Sequence, residues 1–155
     1  MDAREILDGA IRAYESGLGH CKEKYWTRGD GTGGDGAMGL FGDDVGNICI
    51  TGAIFRAAGK ELSVKYSTGR CYPLETVFRA VRRALYLRPK MPKYRPYKKS
   101  SGKSEQGRYV LICWNNREET SKSDVLDALK RAYEFIPPRK NVSACVPSMV
   151  ERSRP

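Results

Sequence analysis

The fold class follows chiefly from one stretch of sequence, YPLETVFRAVRRALYL, which spans residues 72–87. Pro73 suits the first turn of a helix, where its missing N–H is not needed. Arg79, Arg82 and Arg83 fall together on one side of such a helix. The apolar side chains recur at helical spacing on the other side: Leu74, Val77, Phe78, Val81 and Leu85. We therefore predict an amphipathic helix with a buried apolar face and an exposed basic face.

Three further segments show helical periodicity, and each follows a residue that can cap a helix. They are residues 2–16 with Asp2 as cap, residues 47–58 with Asn47, and a last helix that starts after Ser121 or Ser123 and stops at Pro137-Pro138. Gly59 is expected to end the second of them.

Two segments show β propensity. In residues 60–71, Leu62, Val64 and Tyr66 alternate with polar side chains, which predicts a short strand in a hairpin. Residues 108–116 are apolar and β-branched, so propensity alone predicts a buried strand, although periodicity cannot distinguish so short a run from a buried helix. The expected fold is mainly α, with α+β as the alternative: a compact helical domain of about four helices with a short hairpin or strand pair and two long loops.

The chain has 155 residues and a mass of 17.4 kDa, which suits one domain. We expect a single compact domain over residues 1–138 with mobile loops at 29–46 and 88–107, followed by a C-terminal tail, 139–155. Eight of the eighteen residues in 29–46 are glycine. Residues 29–34 match G-x-G-x-x-G, but no convincing strand precedes them and no helix directly follows, so a mobile loop is favoured over a phosphate-binding loop or a cation site.

The net charge of +10 is concentrated in one place. The basic segment, residues 79–103, has ten basic residues and no acidic one, so the rest of the chain is electrically neutral. Two tyrosines, Tyr94 and Tyr97, lie among the charges. The predicted nucleic-acid-binding residues are Arg79, Arg82, Arg83, Arg88, Lys90, Lys93, Tyr94, Arg95, Tyr97, Lys98, Lys99 and Lys103.

The five cysteines include no C-x-x-C pair, so neither a zinc ribbon nor a thioredoxin-type site is expected. Cys49 is the best nucleophile candidate, because a thiolate is favoured near a helix start. The single histidine, His20, would have to be its base. His20 and Cys21 could supply two metal ligands, but a tetrahedral site needs more. No metal and no cofactor are predicted.

No run of about 20 apolar residues is present, so no contact with a membrane is expected. The N-terminus lacks the basic and apolar regions of a secretory signal. We therefore expect a cytoplasmic protein with reduced thiols, in the host cytoplasm if a phage encodes it. The oligomeric state is not predicted.

Three motifs occur in order: Trp26-Thr27-Arg28-Gly29, then Asn47-Ile48-Cys49-Ile50-Thr51-Gly52-Ala53, then Trp114-Asn115-Asn116 before the last helix. This order resembles an uncharacterised family of small proteins in actinobacteria and their phages, with the pattern W-x-x-G, C-x-x-G-A and W-N-D. The resemblance covers 22–29, 47–85 and 108–133, roughly half of the chain. It implies a phage or phage-like origin and a mainly helical fold that admits a helix at 108–114.

The sequence departs from that pattern at Asn116, where the family has Asp, and carries apparent insertions at 30–46 and 88–107. If a carboxylate at position 116 served chemistry, that chemistry is in doubt here. Trp26, Cys49, Trp114 and Asn115 could converge as a site, but a core of two tryptophans and a buried amide is the favoured interpretation.

Three functions are compatible with these features. The favoured one is a small basic phage-type protein that binds nucleic acid or a nucleoprotein complex through its basic helix face and loop. The alternative is an interaction protein that inhibits a host or defence factor by docking on an acidic protein surface. The third is a Cys49-dependent enzyme, which the absence of familiar catalytic motifs makes less favoured.

Overall fold

The computed structural model describes residues 1–35, 37–69, 71–86 and 103–138. In this part of the chain the fold is mainly α with a small sheet, which confirms the predicted class. The helices are α1 (Ala3–Glu15), α2 (Ile50–Thr68), α3 (Tyr72–Tyr86), α4 (Lys103–Asn115) and α5 (Lys122–Ala132). The strands are β1 (Gly19–His20), β2 (Trp26–Arg28), β3 (Gly33–Gly34) and β4 (Val45–Ile48). Two short 3₁₀ helices, Ala37–Phe41 and Tyr133–Phe135, complete the elements.

Helices α1, α3 and α5 confirm the sequence predictions. Asp2 caps α1 and Ser121 caps α5, each through a capping box that binds a side chain three residues later. Helix α3 buries the predicted apolar face and adds Ala80 and Ala84 to it. The three helices pack against one another, and each contributes residues to the hydrophobic core.

The sheet has the order β1-β4-β2-β3, with β1 parallel to β4 and the other pairs antiparallel. Strand β3, the first residues of β4 and the first 3₁₀ helix lie in the glycine-rich segment 29–46, for which the sequence favoured a mobile loop. The glycines there allow close packing: a Cβ at Gly33 would overlap the backbone of Trp26 and Thr27, and one at Gly39 would overlap the Trp26 ring. The segment is therefore built into the fold, and its G-x-G-x-x-G match falls on the β2–β3 hairpin.

Helix α2 differs from the prediction at both ends. Asn47 lies in β4, and the cap is Cys49. Gly59 does interrupt the helix, with φ of 82°, but the chain resumes helical geometry to Thr68. The predicted strand over 62–66 is thus wrong: Ser63 and Tyr66 turn inward at helical spacing, and the Ser63 hydroxyl donates to the Phe55 carbonyl at 3.0 Å across the kink.

Helix α4 replaces the strand that propensity predicted over 108–116, and its first five residues lie in the expected loop 88–107. Val110, Leu111 and Trp114 are buried and share one face at helical spacing. The packing of that face against α2 and α3 outweighs the weak helix propensity of the β-branched residues. The family resemblance allowed a helix at 108–114, and this prediction is confirmed.

In the described ranges no helix combines the length and the hydropathy needed to cross a bilayer. The C-terminal tail 139–155, predicted from the sequence, lies outside the described residues, as does most of loop 88–107.

Candidate functional site

The buried amide of Asn115 joins three parts of the chain at the end of α4. Its Nδ2 donates to the Cys21 carbonyl at 3.0 Å, and its Oδ1 accepts from the Ile50 N–H at 3.1 Å. These backbone partners determine the orientation of the amide. His20 Nε2 lies 2.9 Å from the same Oδ1, so this nitrogen carries the proton and donates it.

The turn that follows Asn115, residues 116–118, also forms hydrogen bonds with the connection between β1 and β2. Asn116 Oδ1 accepts from the Glu23 N–H at 2.9 Å, which holds Glu23 at a φ of 64°. The Lys22 ammonium donates to the carbonyls of Arg117 and Glu118, both at 2.6 Å. The residues around Asn115 and Asn116 therefore act as a clamp on residues 20–23.

The side chain of Asn116 acts in this turn as a hydrogen-bond acceptor. Both groups that contact its Oδ1 are donors: the Glu23 N–H and the Asn115 Nδ2, at 3.2 Å. A carboxylate would accept from the same two donors. The side chain at 116 is therefore used as an acceptor that shapes the turn, which either residue provides.

Cys49 has a capping role. Its Sγ accepts from the Gly52 N–H at 3.2 Å, and the residue is buried. Burial raises the pKa of Cys49 to about 11 and outweighs the nearby backbone N–H groups, which lower it. Burial, together with Cys49, raises the pKa of Cys21 to about 12. Both thiols are therefore protonated at neutral pH.

A cysteine at a helix start, a histidine and an asparagine on the histidine ring form the residue set of a Cys–His–Asn nucleophilic site. The arrangement here differs from that site in two ways. No hydrogen bond joins Cys49 Sγ to the His20 ring, although the structure describes both. Burial also lowers the pKa of His20, and Lys22 acts in the same direction. The Asn115 hydrogen bond and Asp124 raise this pKa, but they do not outweigh burial. The geometry thus supports a structural cluster.

The two motif tryptophans lie in the hydrophobic core. Trp26 pairs with Ile48 across the sheet, and the Arg28 guanidinium lies over its ring at 4.8 Å from the centroid. Trp114 is buried, and its carbonyl accepts from the Thr120 hydroxyl at 2.8 Å. Asn115 meets the start of α2 beside Cys49, so the motif residues converge as parts of the packed interior.

His20 and Cys21 gain no further metal ligands. In the described part of the chain no three His, Cys, Asp or Glu side chains are placed to hold a metal ion.

The exposed face of α3 is basic and aromatic. Five residues lie along it within about 80° of arc, and we call them the α3 ridge: Tyr72, Thr76, Arg79, Arg83 and Tyr86. Arg79 and Arg83 are exposed, and Arg82 is half-buried beside them. Arg83 also lies over the Phe135 ring, 5.5 Å from its centroid. No carboxylate of the described residues forms an ion pair with these arginines.

One acidic residue lies close to the ridge in sequence. Glu75 precedes Arg79 by one helical turn, is half-buried, and keeps its Oε1 buried without a hydrogen-bond partner in the described part. Helix α3 therefore carries three arginines against this one carboxylate, which is its single acidic residue.

The other predicted binding residues are not placed by the structure. Lys103 lies at the start of α4, and its side chain is not described. The remainder lie outside the described residues: Arg88, Lys90, Lys93, Tyr94, Arg95, Tyr97, Lys98 and Lys99.

Sequence reasoning missed the pairing of His20 with Asn115, which are 95 positions apart. It also missed Lys22 and Tyr72. Only the His20–Asn115 pair could have been suspected from the sequence, because the W-N-N motif places two amide side chains at a turn where they need hydrogen-bond partners.

The fold and the site define a small, mainly helical α+β domain with a buried polar clamp and an exposed cationic helix face. Residues 1–135 match the group described as "Family of unknown function (DUF6197)", and the chain belongs to that family. No curated protein and no solved structure shows significant similarity to it.

Proposed function

We propose that the protein binds a polyanion, nucleic acid or a nucleoprotein complex, through the α3 ridge and the basic segment that continues from it. One observation carries the proposal: Arg79 and Arg83 are exposed on one face and have no carboxylate partner in the described part. Arginines whose charge is not neutralised by an internal carboxylate can neutralise phosphates and release counterions.

The spacing along the ridge supports this. Arg79 and Arg83 are four residues apart, about 6 Å along the helix axis. That separation lets both guanidinium groups meet successive phosphates of one strand. From Arg88 to Lys103 the chain then adds seven further basic residues and no acidic one, which extends the same charge in sequence.

The motif resemblance leads us to place this activity in a phage-encoded protein that works in the cytoplasm of the host cell. There a basic face of this kind would act on nucleic acid or on proteins bound to it.

The test is fluorescence anisotropy with a labelled 20-nucleotide strand at 50 and 200 mM salt. The wild-type affinity should fall at least about tenfold over that range. In the Arg79→Ala/Arg83→Ala variant the slope of log affinity against log salt should become shallower by about 1.4, since each single-strand phosphate contact contributes about 0.7.

The matched control is Lys24→Ala/Lys60→Ala, which removes the same charge from exposed lysines outside the ridge. It should leave the slope nearly unchanged. Binding that ignores salt, or equal losses in both double variants, would refute the proposal.

The same unpaired arginines would also suit an acidic protein surface, which is the alternative function. A pull-down from nuclease-treated host lysate distinguishes the two: retention of a defined partner that is lost in Arg79→Ala/Arg83→Ala, with no nucleic-acid affinity, would favour the protein partner.

A further inference from the structure

A groove opens at the N-terminal end of the α3 ridge. It has a volume of about 290 Å³ and lies between the first residues of α1, the first turn of α3 and the chain after the last 3₁₀ helix. Most of its lining is apolar, and its walls include Met1, Tyr72, Pro73, Ile136 and Pro137. A groove of this size is near the lower limit for ligand pockets, about 300 Å³, so it suits a single ring system.

Tyr72 makes the groove and the ridge one continuous surface. It is 77% exposed, the most exposed of the large apolar residues in the described part, and it is the first residue of α3. Thr76, which also lines the groove, precedes Arg79 by three residues and Arg83 by seven. The two arginines therefore lie about 4.5 and 10.5 Å farther along the same helix face.

The wall opposite α3 is held in place. Arg4 donates from its Nη2 to the Ile136 carbonyl at 2.8 Å, and its guanidinium lies 5.7 Å from the centroid of the Tyr133 ring. Asp2, which caps α1, and Arg4 are the two charged residues of the lining, and the rest of the wall is mostly apolar. An aromatic ring entering the groove would thus meet a preformed apolar slot with one exposed tyrosine for stacking.

We propose that this groove receives one unpaired nucleobase of a single-stranded nucleic acid whose phosphates lie on Arg79 and Arg83. A nucleobase has apolar faces that stack on aromatic side chains, and its own backbone supplies the anions that the ridge attracts. A base within a duplex cannot leave its stack at low cost, so the site favours single strands. The inference rests on the proposed function and adds the kind of nucleic acid to it.

The test compares three labelled polymers of equal length and charge per strand: a single strand with bases, the same strand with abasic sugars throughout, and the duplex. We expect the wild-type protein to bind the single strand about fivefold to 100-fold more tightly than the abasic strand. Tyr72→Ala should remove that preference while its affinity for the abasic strand stays unchanged, and Tyr72→Phe should retain the preference.

Tyr86→Ala is the matched control, because Tyr86 is exposed on the same ridge about 21 Å away along the helix axis. It should keep the preference for bases. Equal binding of the base-bearing and abasic strands by the wild type, or equal losses in Tyr72→Ala and Tyr86→Ala, would overturn the groove as a base site. If the abasic strand still binds in a salt-dependent manner through Arg79 and Arg83, the proposed function stands; if neither strand binds, both fail.

Nitration of Tyr72 in the full chain, mapped by mass spectrometry, tests other occupants. We expect rapid nitration in the free protein and protection by the base-bearing strand only. Protection without nucleic acid would overturn the inference: if it persists on dilution, the chain's own residues 139–155 occupy the groove, and if it is lost on dilution, a second copy does.

Discussion

His20 Nε2 and Asn115 Oδ1 lie 2.9 Å apart, although 95 positions separate the two residues in the chain. The same oxygen accepts from the Ile50 N–H, and the same amide donates to the Cys21 carbonyl. One side chain thereby satisfies groups from β1, from the residue after it and from the start of α2. Its loss would leave several polar groups buried without partners.

We expect Asn115→Ala to lower the free energy of unfolding by about 3 kcal/mol, because the Ile50 N–H and the Cys21 carbonyl would lose their buried partner. Urea denaturation measures the change. Asn116→Asp is the control and should stay within about 0.5 kcal/mol of wild type, since its carboxylate keeps both donors. A loss below about 1 kcal/mol in Asn115→Ala would show that the clamp does not depend on this amide.

The stability should decrease as the pH falls through about 6.5, the pKa of an unperturbed histidine, because burial lowers the pKa of His20 in the folded state. The unfolded chain then takes up a proton that the folded chain does not. The contribution of neutral His20 to the free energy of unfolding is present in full above pH 6.5. It is lost as the pH falls to the pKa of His20 in the folded protein. Urea midpoints between pH 7.5 and 5 give the trend.

His20→Gln tests the assignment, because His20 is the only histidine and the amide retains a donor for Asn115. The decline between pH 7 and 5.5 should be smaller in this variant. An identical pH profile would assign the effect to carboxyl groups instead.

Gly52→Ala should lower the stability by about 1–3 kcal/mol, although alanine is the better helix former. A Cβ at this position would overlap the Tyr25 carbonyl oxygen and press on Ile48 and Leu40. Thermal unfolding measures the loss. Gly29→Ala, where nothing lies within 4 Å of the added methyl, should be nearly neutral.

Cys49 and Cys21 should react with iodoacetamide at pH 7.5 more than about 100-fold more slowly than a free cysteine, because both are buried and protonated. Mass spectrometry of the alkylated peptides gives the rates, and the same thiols in urea serve as the reference. Fast alkylation of Cys49 in the folded protein would restore it as a nucleophile candidate.

Trp114→Ala should cost about 3–5 kcal/mol, since the ring is buried in the core and its removal leaves a cavity. Trp114→Phe should lose clearly less. If the alanine variant keeps its stability, Trp114 does not serve the core and a binding role becomes the better explanation.

The sequence predicted the helices whose signals are local. Asp2 and Ser121 cap helices with amphipathic periodicity, and α3 has the same pattern, so short-range chemistry and tertiary packing agree there. The sequence-based prediction was wrong where local propensity and tertiary packing favour different structures. Residues 108–115 and 60–68 have β-branched or alternating side chains, and only the surrounding core makes them helical.

The candidate site was predictable in part. The outward placement of Arg79 and Arg83 follows from helical periodicity alone. The groove beside Tyr72 does not, because it depends on how the first turns of α1 and α3 meet the chain at Ile136. The glycines in 29–46 suggested freedom of movement, whereas Gly33 and Gly39 permit close contact with β2, a distinction that composition does not carry.

The clamp at the end of α4 also constrains the order of assembly. Its bonds to Cys21 and Ile50 span 94 and 65 positions, so they close long loops and should form only after α4 has docked. During synthesis, the amide of Ile50 and the carbonyl of Cys21 would remain bound to water until residue 115 has left the ribosome. In refolding experiments with pulsed hydrogen exchange, the amides of Ile50 and Glu23 should therefore be among the last to gain protection.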